Sequence, residues 1–175
     1  MFYNETMKFK KGFTLVELLV VMAITAILTA VLIPSLFSSK SKGRDTRRVS
    51  DLAQIQLALE LYQDNNGGLY PARINNGSLN GYLNPIPKDP ANALDYHYAG
   101  LSTAVGGECS NYHLGASLEN TSSALSSDRD ATASVNVCID TGNVTSLADF
   151  NGSNDNAKCN AAVADTGAKC YDLSP

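Results

Sequence analysis

From Phe13 the chain turns apolar and stays so to Ile33, broken by a single acid, Glu17. About 20 residues of helix cross a hydrocarbon core, and Thr14 to Ile33 supplies that number. Pro34 then removes an N–H and crowds the preceding turn, which predicts a kink or local unwinding. The run Ser38-Ser39-Lys40-Ser41-Lys42-Gly43 is a weak helix former and reads as a flexible joint. From Arg44 helical spacing returns, with Val49, Leu52, Ile55, Leu59 and Tyr62 along one face. Leu57 and Leu61, four apart, lie on another face, free to meet neighbours. Asn65-Asn66-Gly67-Gly68 predicts the helix end, because Gly and Asn accept the left-handed C-cap conformation. The pattern thus predicts one helix from Thr14 to about Gln63, apolar on every side in its first half and one-faced in its second.

The pattern then loses its helical period. Gly67 to Pro90 is rich in Gly, Asn and Pro and reads as loop. Tyr96 to Ala99, Asn111 to Leu118 and Ser134 to Ile139 read as strands. Ser122 to Asp130 and Asp140 to Asn156 carry the Ser, Asn, Asp and Gly of exposed loops. The long helix and the few short strands predict an α+β fold.

An ionised carboxylate within a membrane span costs roughly 2.5–3.5 kcal/mol on insertion scales, so Glu17 needs a partner. The residues around it, Lys10-Lys11-Gly12-Phe13-Thr14-Leu15-Val16-Glu17-Leu18-Leu19, resemble the N-terminal signature of type IV prepilins and type II secretion pseudopilins. The resemblance implies that a prepilin peptidase/methyltransferase cuts between Gly12 and Phe13 and methylates the new N-terminus. It makes Glu17 the fifth mature residue and Pro34 the twenty-second, where the family often has a proline. Physical reasoning agrees: a secretory signal is cut after its apolar region, whereas this candidate site precedes it, so the anchor survives. Cleavage also frees an α-amine at Phe13 that can meet Glu17 of a neighbouring helix, and the resemblance implies that this pairing recruits and registers subunits. The helix end followed by Leu69-Tyr70-Pro71, then Pro87-Lys88-Asp89-Pro90 and an aromatic strand, resembles the major-subunit branch.

The resemblance implies a lollipop, a long N-terminal helix with a transmembrane first half packed on a small antiparallel sheet. It divides the chain into a leader (1–12), a transmembrane and assembly helix (13–37), an amphipathic second half of the helix (38–66) and a globular head (67–175). The implied partners are further copies of the chain, the peptidase, the membrane before assembly, and an assembly platform with its ATPase motor. The implied location is a single-pass precursor in the cytoplasmic membrane with the head outside, and then a surface or extracellular filament. The function expected is that of a structural subunit of a type IV pilus-like filament. The alternatives are the major pseudopilin of a type II secretion-like system and a membrane-anchored binding module that never polymerises.

Charge and cysteines sharpen this picture. The 175-residue chain carries a formal net charge of −4, and its acidic head gives no reason to expect nucleic acid as a main partner. Lys40, Lys42, Arg44, Arg47 and Arg48 against Asp45 outweigh Lys8, Lys10 and Lys11 against Glu5. A plain positive-inside count would therefore place the C-terminus in the cytoplasm; the leader signature and the cysteines argue for export instead. Arg47 and Arg48 read as solvated or headgroup-facing. Cys109, Cys138, Cys159 and Cys170 in a small exported domain predict two disulfides out of three possible pairings. Cys109–Cys138 within the sheet region and Cys159–Cys170 as a C-terminal staple is the favoured one. Zinc at Cys109 and His113 is the competing reading, without a CxxC spacing to support it. Asp149, Asn151, Asn154 and Asp155 are candidate calcium ligands, hard oxygens of the type that ion prefers, in a spacing that is not an EF-hand. No other cofactor is expected. No P-loop, nucleophile elbow or paired catalytic acids occur in a credible context, so the sequence does not read as an enzyme.

Overall fold

The computed structural model describes residues 12–74, 77–104, 106–132, 136–139, 150, 159 and 169–175. The chain divides into two compact units, Met1–Ser39 and Lys40–Pro175. Helix α1 spans Leu15–Asn65, close to the bounds expected from periodicity. It stays helical through position 34, without the local unwinding anticipated there, and through 38–43. A single missing N–H interrupts only one rung of the ladder, and the helix has 51 residues.

Within the first unit the apolar side chains from Leu15 to Phe37 are exposed all round. By length and composition this helix can cross a membrane. Thr25 and Thr29 do not break the apolar surface, because each hydroxyl donates back to a carbonyl one turn earlier.

The second unit is built on the later part of α1. Leu52, Ile55, Ala58 and Leu59 are buried there, with Val49 and Tyr62 packed at the margin. The helix ends as its sequence dictates: Gly67 adopts φ 68° and the Gly68 N–H donates to the Gln63 carbonyl, the six-to-one bond of a Schellman cap.

Three strands follow: β1 (His97–Leu101), β2 (Asn111–Leu118) and β3 (Lys169–Leu173). They form one antiparallel sheet in that order, with Ala99 opposite His113 and Ala116 opposite Tyr171. β2 has the bounds its alternating pattern predicted. The third strand does not: Ser134 to Ile139 is not a sheet strand in its described part, where Val137 makes only an isolated bridge to Leu101. The third strand is Lys169–Leu173, which covers the far edge of β2. Short η1 (Ser123–Ser126) lies between, capped by the Ser122 hydroxyl on the Ala124 N–H.

Strand alternation sends Tyr112, Leu114, Ala116 and Leu118 to the cluster that holds the helix residues, together with Tyr98 and Tyr171. The opposite face carries His113, Gly115, Cys170 and Asp172. It is covered by Phe150, which stacks on His113 at 3.9 Å between ring centroids, and by Cys159. His113 Nε2 and Asp172 Oδ2 lie 2.7 Å apart and both residues are buried. Asp172 also accepts the N–H groups of Asp130 and Ala131.

Gly115 is required by this second layer. A Cβ there would stand 2.6 Å from a Phe150 ring carbon and 3.2 Å from Cys159 Sγ. Gly115→Ala is expected to cost about 1–3 kcal/mol, the range for overpacking, and to lower the urea midpoint with an unchanged slope. Wild-type stability in that variant would mean that Phe150 moves aside freely.

Candidate assembly site and the buried charge network

Gly12 and Phe13 are exposed in front of α1, and Phe13 is 91% exposed. The helix start is organised by Thr14 and Glu17. The Glu17 carboxylate accepts both the Thr14 N–H, at 2.9 Å, and the Thr14 hydroxyl, at 2.7 Å. The Glu17 N–H returns a bond to Thr14 Oγ1 at 3.2 Å. This is a capping box, T-x-x-E, which satisfies two of the donors a helix start leaves open. It also places a negative group at the positive end of the helix dipole. The sequence carries this signal in plain form, T-x-x-E directly before an apolar run. Glu17 has a local partner before any neighbour arrives.

A second constellation lies in the 40–175 unit and corrects the sequence reading of Arg48. Its side chain is 4% exposed, neither solvated nor facing headgroups. Nη1 donates to Asp45 Oδ1 at 2.7 Å and to Glu119 Oε1 at 2.8 Å. Nε and Nη2 form a fork on Asp89, at 2.6 and 3.1 Å. Asp89 is the acid of Pro87-Lys88-Asp89-Pro90, and Glu119 follows β2, so one guanidinium joins helix, loop and sheet. Arg44 adds a second fork on Glu119. Asp45 accepts the N–H groups of Glu119 and Asn120 at 2.9 Å each. One turn further, Asp51 accepts the buried Tyr96 hydroxyl at 2.8 Å. The other Arg behaves as expected: Arg47 is largely exposed, 3.7 Å from Asp51.

The electrostatics follow from these contacts. Burial disfavours the charged form of Arg48, but hydrogen bonds to Asp89, Glu119 and Asp45 outweigh it and raise its pKa. The Arg44 hydrogen bond, opposed by burial and helped by Arg48, holds Glu119 down at about 2. Burial pushes Asp89 up, and the Arg48 and Ala91 bonds more than reverse it, so its pKa is lowered. Depressed carboxylates stabilise the fold above their unfolded pKa, and that stability is lost as pH falls through the folded value. Acid unfolding of the 40–175 unit is therefore expected to draw on Glu119 between pH 4.5 and about 2. In Glu119→Gln the stability difference between pH 5 and pH 2 (roughly the ends of that window) should shrink. An unchanged acid profile would remove Glu119 from the network.

All four cysteines are in disulfides, Cys109–Cys138 and Cys159–Cys170, which leaves Cys109 no thiolate to offer zinc beside His113. The first bridge ties the segment beside β1 to the start of β2, and Gly100 makes room for it: a Cβ there would meet Cys138 Sγ at 2.7 Å. The second ties residue 159 to β3. The calcium candidates Asp149, Asn151, Asn154 and Asp155 lie outside the described residues.

The capped apolar helix behind an exposed Gly-Phe junction, followed by a helix-backed antiparallel sheet, defines a class. The prokaryotic N-terminal methylation motif matches residues 7–33, and the chain belongs to the type IV pilin and type II secretion pseudopilin family. Its relatives include the type II secretion system core protein G of Vibrio cholerae serotype O1. That protein is 31% identical over 127 residues, covering 64% of this chain and 84% of the relative. Core protein G of Klebsiella pneumoniae is 30% identical over 125 residues, 62% of this chain and 86% of the relative. The type IV wide pilus major component PilA4 of Thermus thermophilus is 49% identical over 61 residues, 34% of this chain and 47% of the relative. No solved structure matches the chain significantly.

Proposed function

We propose that this chain is the precursor of a filament subunit, cut after Gly12, N-methylated at Phe13 and polymerised through its N-terminal helix. The carrying observation is the helix start: an exposed Gly12-Phe13 junction directly precedes the Thr14–Glu17 cap and a helix whose apolar side chains are exposed. The division into leader (1–12), assembly helix (13–37), amphipathic half-helix (38–66) and head (67–175) belongs to this reading. Before assembly the helix sits in the cytoplasmic membrane with the head outside, where the two disulfides are at home. In the filament the helices pack on one another and the heads face outward. Apolar burial alone does not drive that step, because lipid is as apolar as the filament core. The work of extraction comes from outside the chain, from an assembly platform and an ATPase motor. The role is structural rather than catalytic.

Two assemblies fit. A surface pilus is favoured by the two bridges and by the 49% identity to PilA4 over 61 residues. A secretion pseudopilus is favoured by core protein G relatives that match across most of their length. The deciding measurement is intact mass and N-terminal mapping of non-reduced protein sheared from its native cells. The reading expects a chain that starts at N-methylated Phe13 and is four hydrogens lighter than its reduced form. Abundance in the sheared fraction would select the pilus, and confinement to the envelope the pseudopilus. A mature protein that still begins at Met1 would overturn both.

A further inference from the structure

The five basic residues that follow the apolar segment do not share one fate. Arg44 and Arg48 are bound to Glu119, Asp89 and Asp45, and Arg47 leans on Asp51. Lys40 and Lys42 are exposed and make no ion pair among the described residues. Directly before them come Leu36 and Phe37, still exposed and apolar. At 3.6 residues per turn, a residue and the next but one lie about 200° apart around a helix. Lys40 and Lys42 therefore point to nearly opposite sides. A protein partner docking from one side could neutralise one of them, whereas a headgroup layer surrounds a spanning helix and reaches both.

We propose that Lys40 and Lys42 are a binding site for the phosphates of anionic phospholipids, a collar at the end of the span remote from the leader. Lysine stems lie along apolar surface and carry the ammonium out to the phosphate layer. Basic residues close to an anionic membrane surface contribute roughly a fivefold affinity each at low salt. This accounts for the positive charge that the positive-inside count cannot place: the collar serves lipid contact rather than orientation. The inference rests on the membrane-spanning part of the reading above and not on polymerisation.

The chain has no tryptophan, so Phe37→Trp supplies a lone reporter beside the collar. The full-length mature chain carrying it is reconstituted in mixed phosphatidylcholine–phosphatidylglycerol vesicles, with bromine on the acyl chains of one lipid or the other. Quenching should show phosphatidylglycerol preferred at the reporter by roughly fivefold or more at low salt, and less as salt rises. The preference should fall towards unity in Lys40→Gln/Lys42→Gln and persist in Lys40→Arg/Lys42→Arg. Equal quenching by both lipids, or a preference that survives in the glutamine variant, would overturn the proposal. If that surviving preference is joined by loss of filaments, the lysines meet carboxylates of neighbouring copies instead. No quenching by either lipid would overturn the spanning premise itself, a result distinct from failure to polymerise.

Discussion

Replacing Arg48 by alanine is expected to destabilise the 40–175 unit by about 3–5 kcal/mol, the range for removing one partner of a buried ion pair. The size comes from what is left behind. Asp89, whose side chain is 13% exposed, loses both arms of its fork and keeps only the backbone N–H groups of Ala91, at 2.8 Å, and Asn92. Asp45 suffers less, because it still accepts from Glu119 and Asn120. Glu119 retains Arg44. The penalty should therefore concentrate at the Asp89 loop. Arg48→Ala/Asp89→Ala should be less destabilised than the two single changes added together, as contacting residues are. Arg48→Lys keeps the charge but not the planar fork, and should fall between wild type and alanine. Urea unfolding of the full chain in detergent, followed by far-ultraviolet circular dichroism, measures the wild type and all four variants. A loss below about 1 kcal/mol for Arg48→Ala, the value of an exposed pair, would show that the guanidinium is hydrated and that the loop is held by something else.

How much of this was legible in the sequence depends on the range over which each interaction acts. The helix end is local chemistry, and Asn65-Asn66-Gly67-Gly68 gave it away. The apolar face from Val49 to Tyr62 is periodic, and so was read correctly. Continuing that period backwards from Leu52 and Ile55 reaches Arg48 and Asp45, which places two charges on the buried face. The signal existed, but a lone Arg on a helix usually means solvent, and its partners Asp89 and Glu119 are 41 and 71 residues away. Nothing local identifies them.

The missed strand has a similar cause. In Lys169-Cys170-Tyr171-Asp172-Leu173 the inward positions of one face are Cys170 and Asp172. Neither reads as a strand former, because a disulfide and a buried His113 contact do the work that Val or Ile does elsewhere. Val137 and Ile139 have the composition of a strand but make only an edge bridge and isolated hydrogen bonds. Propensity identified the wrong segment because tertiary pairing decided the right one.

Glu17 offers the sharpest test of function, because its two roles can be separated chemically. As the third residue of the helix it caps Thr14, and glutamine can fill that position in a capping box as glutamate does. As a charge it can pair with a freed Phe13 amine of another copy, and glutamine cannot. Glu17→Gln should therefore preserve the helix start and the membrane-bound subunit while abolishing filaments, and Glu17→Ala should abolish them too. Insertion itself should not suffer in either variant, since each removes a charge from the span. Thr14→Ala is the complementary change: it deletes the hydroxyl half of the cap, at a cost of about 1 kcal/mol, but keeps the charge, and should reduce assembly only mildly. The measurement is filament yield in the sheared fraction against subunit level in the membrane fraction, from cells expressing each variant in place of the native chain. Filaments from Glu17→Gln at wild-type yield would sink the charge-pairing account and leave the carboxylate as a helix cap alone. Loss in both Glu17 variants, with membrane levels intact, would place the requirement at the charge rather than at the cap.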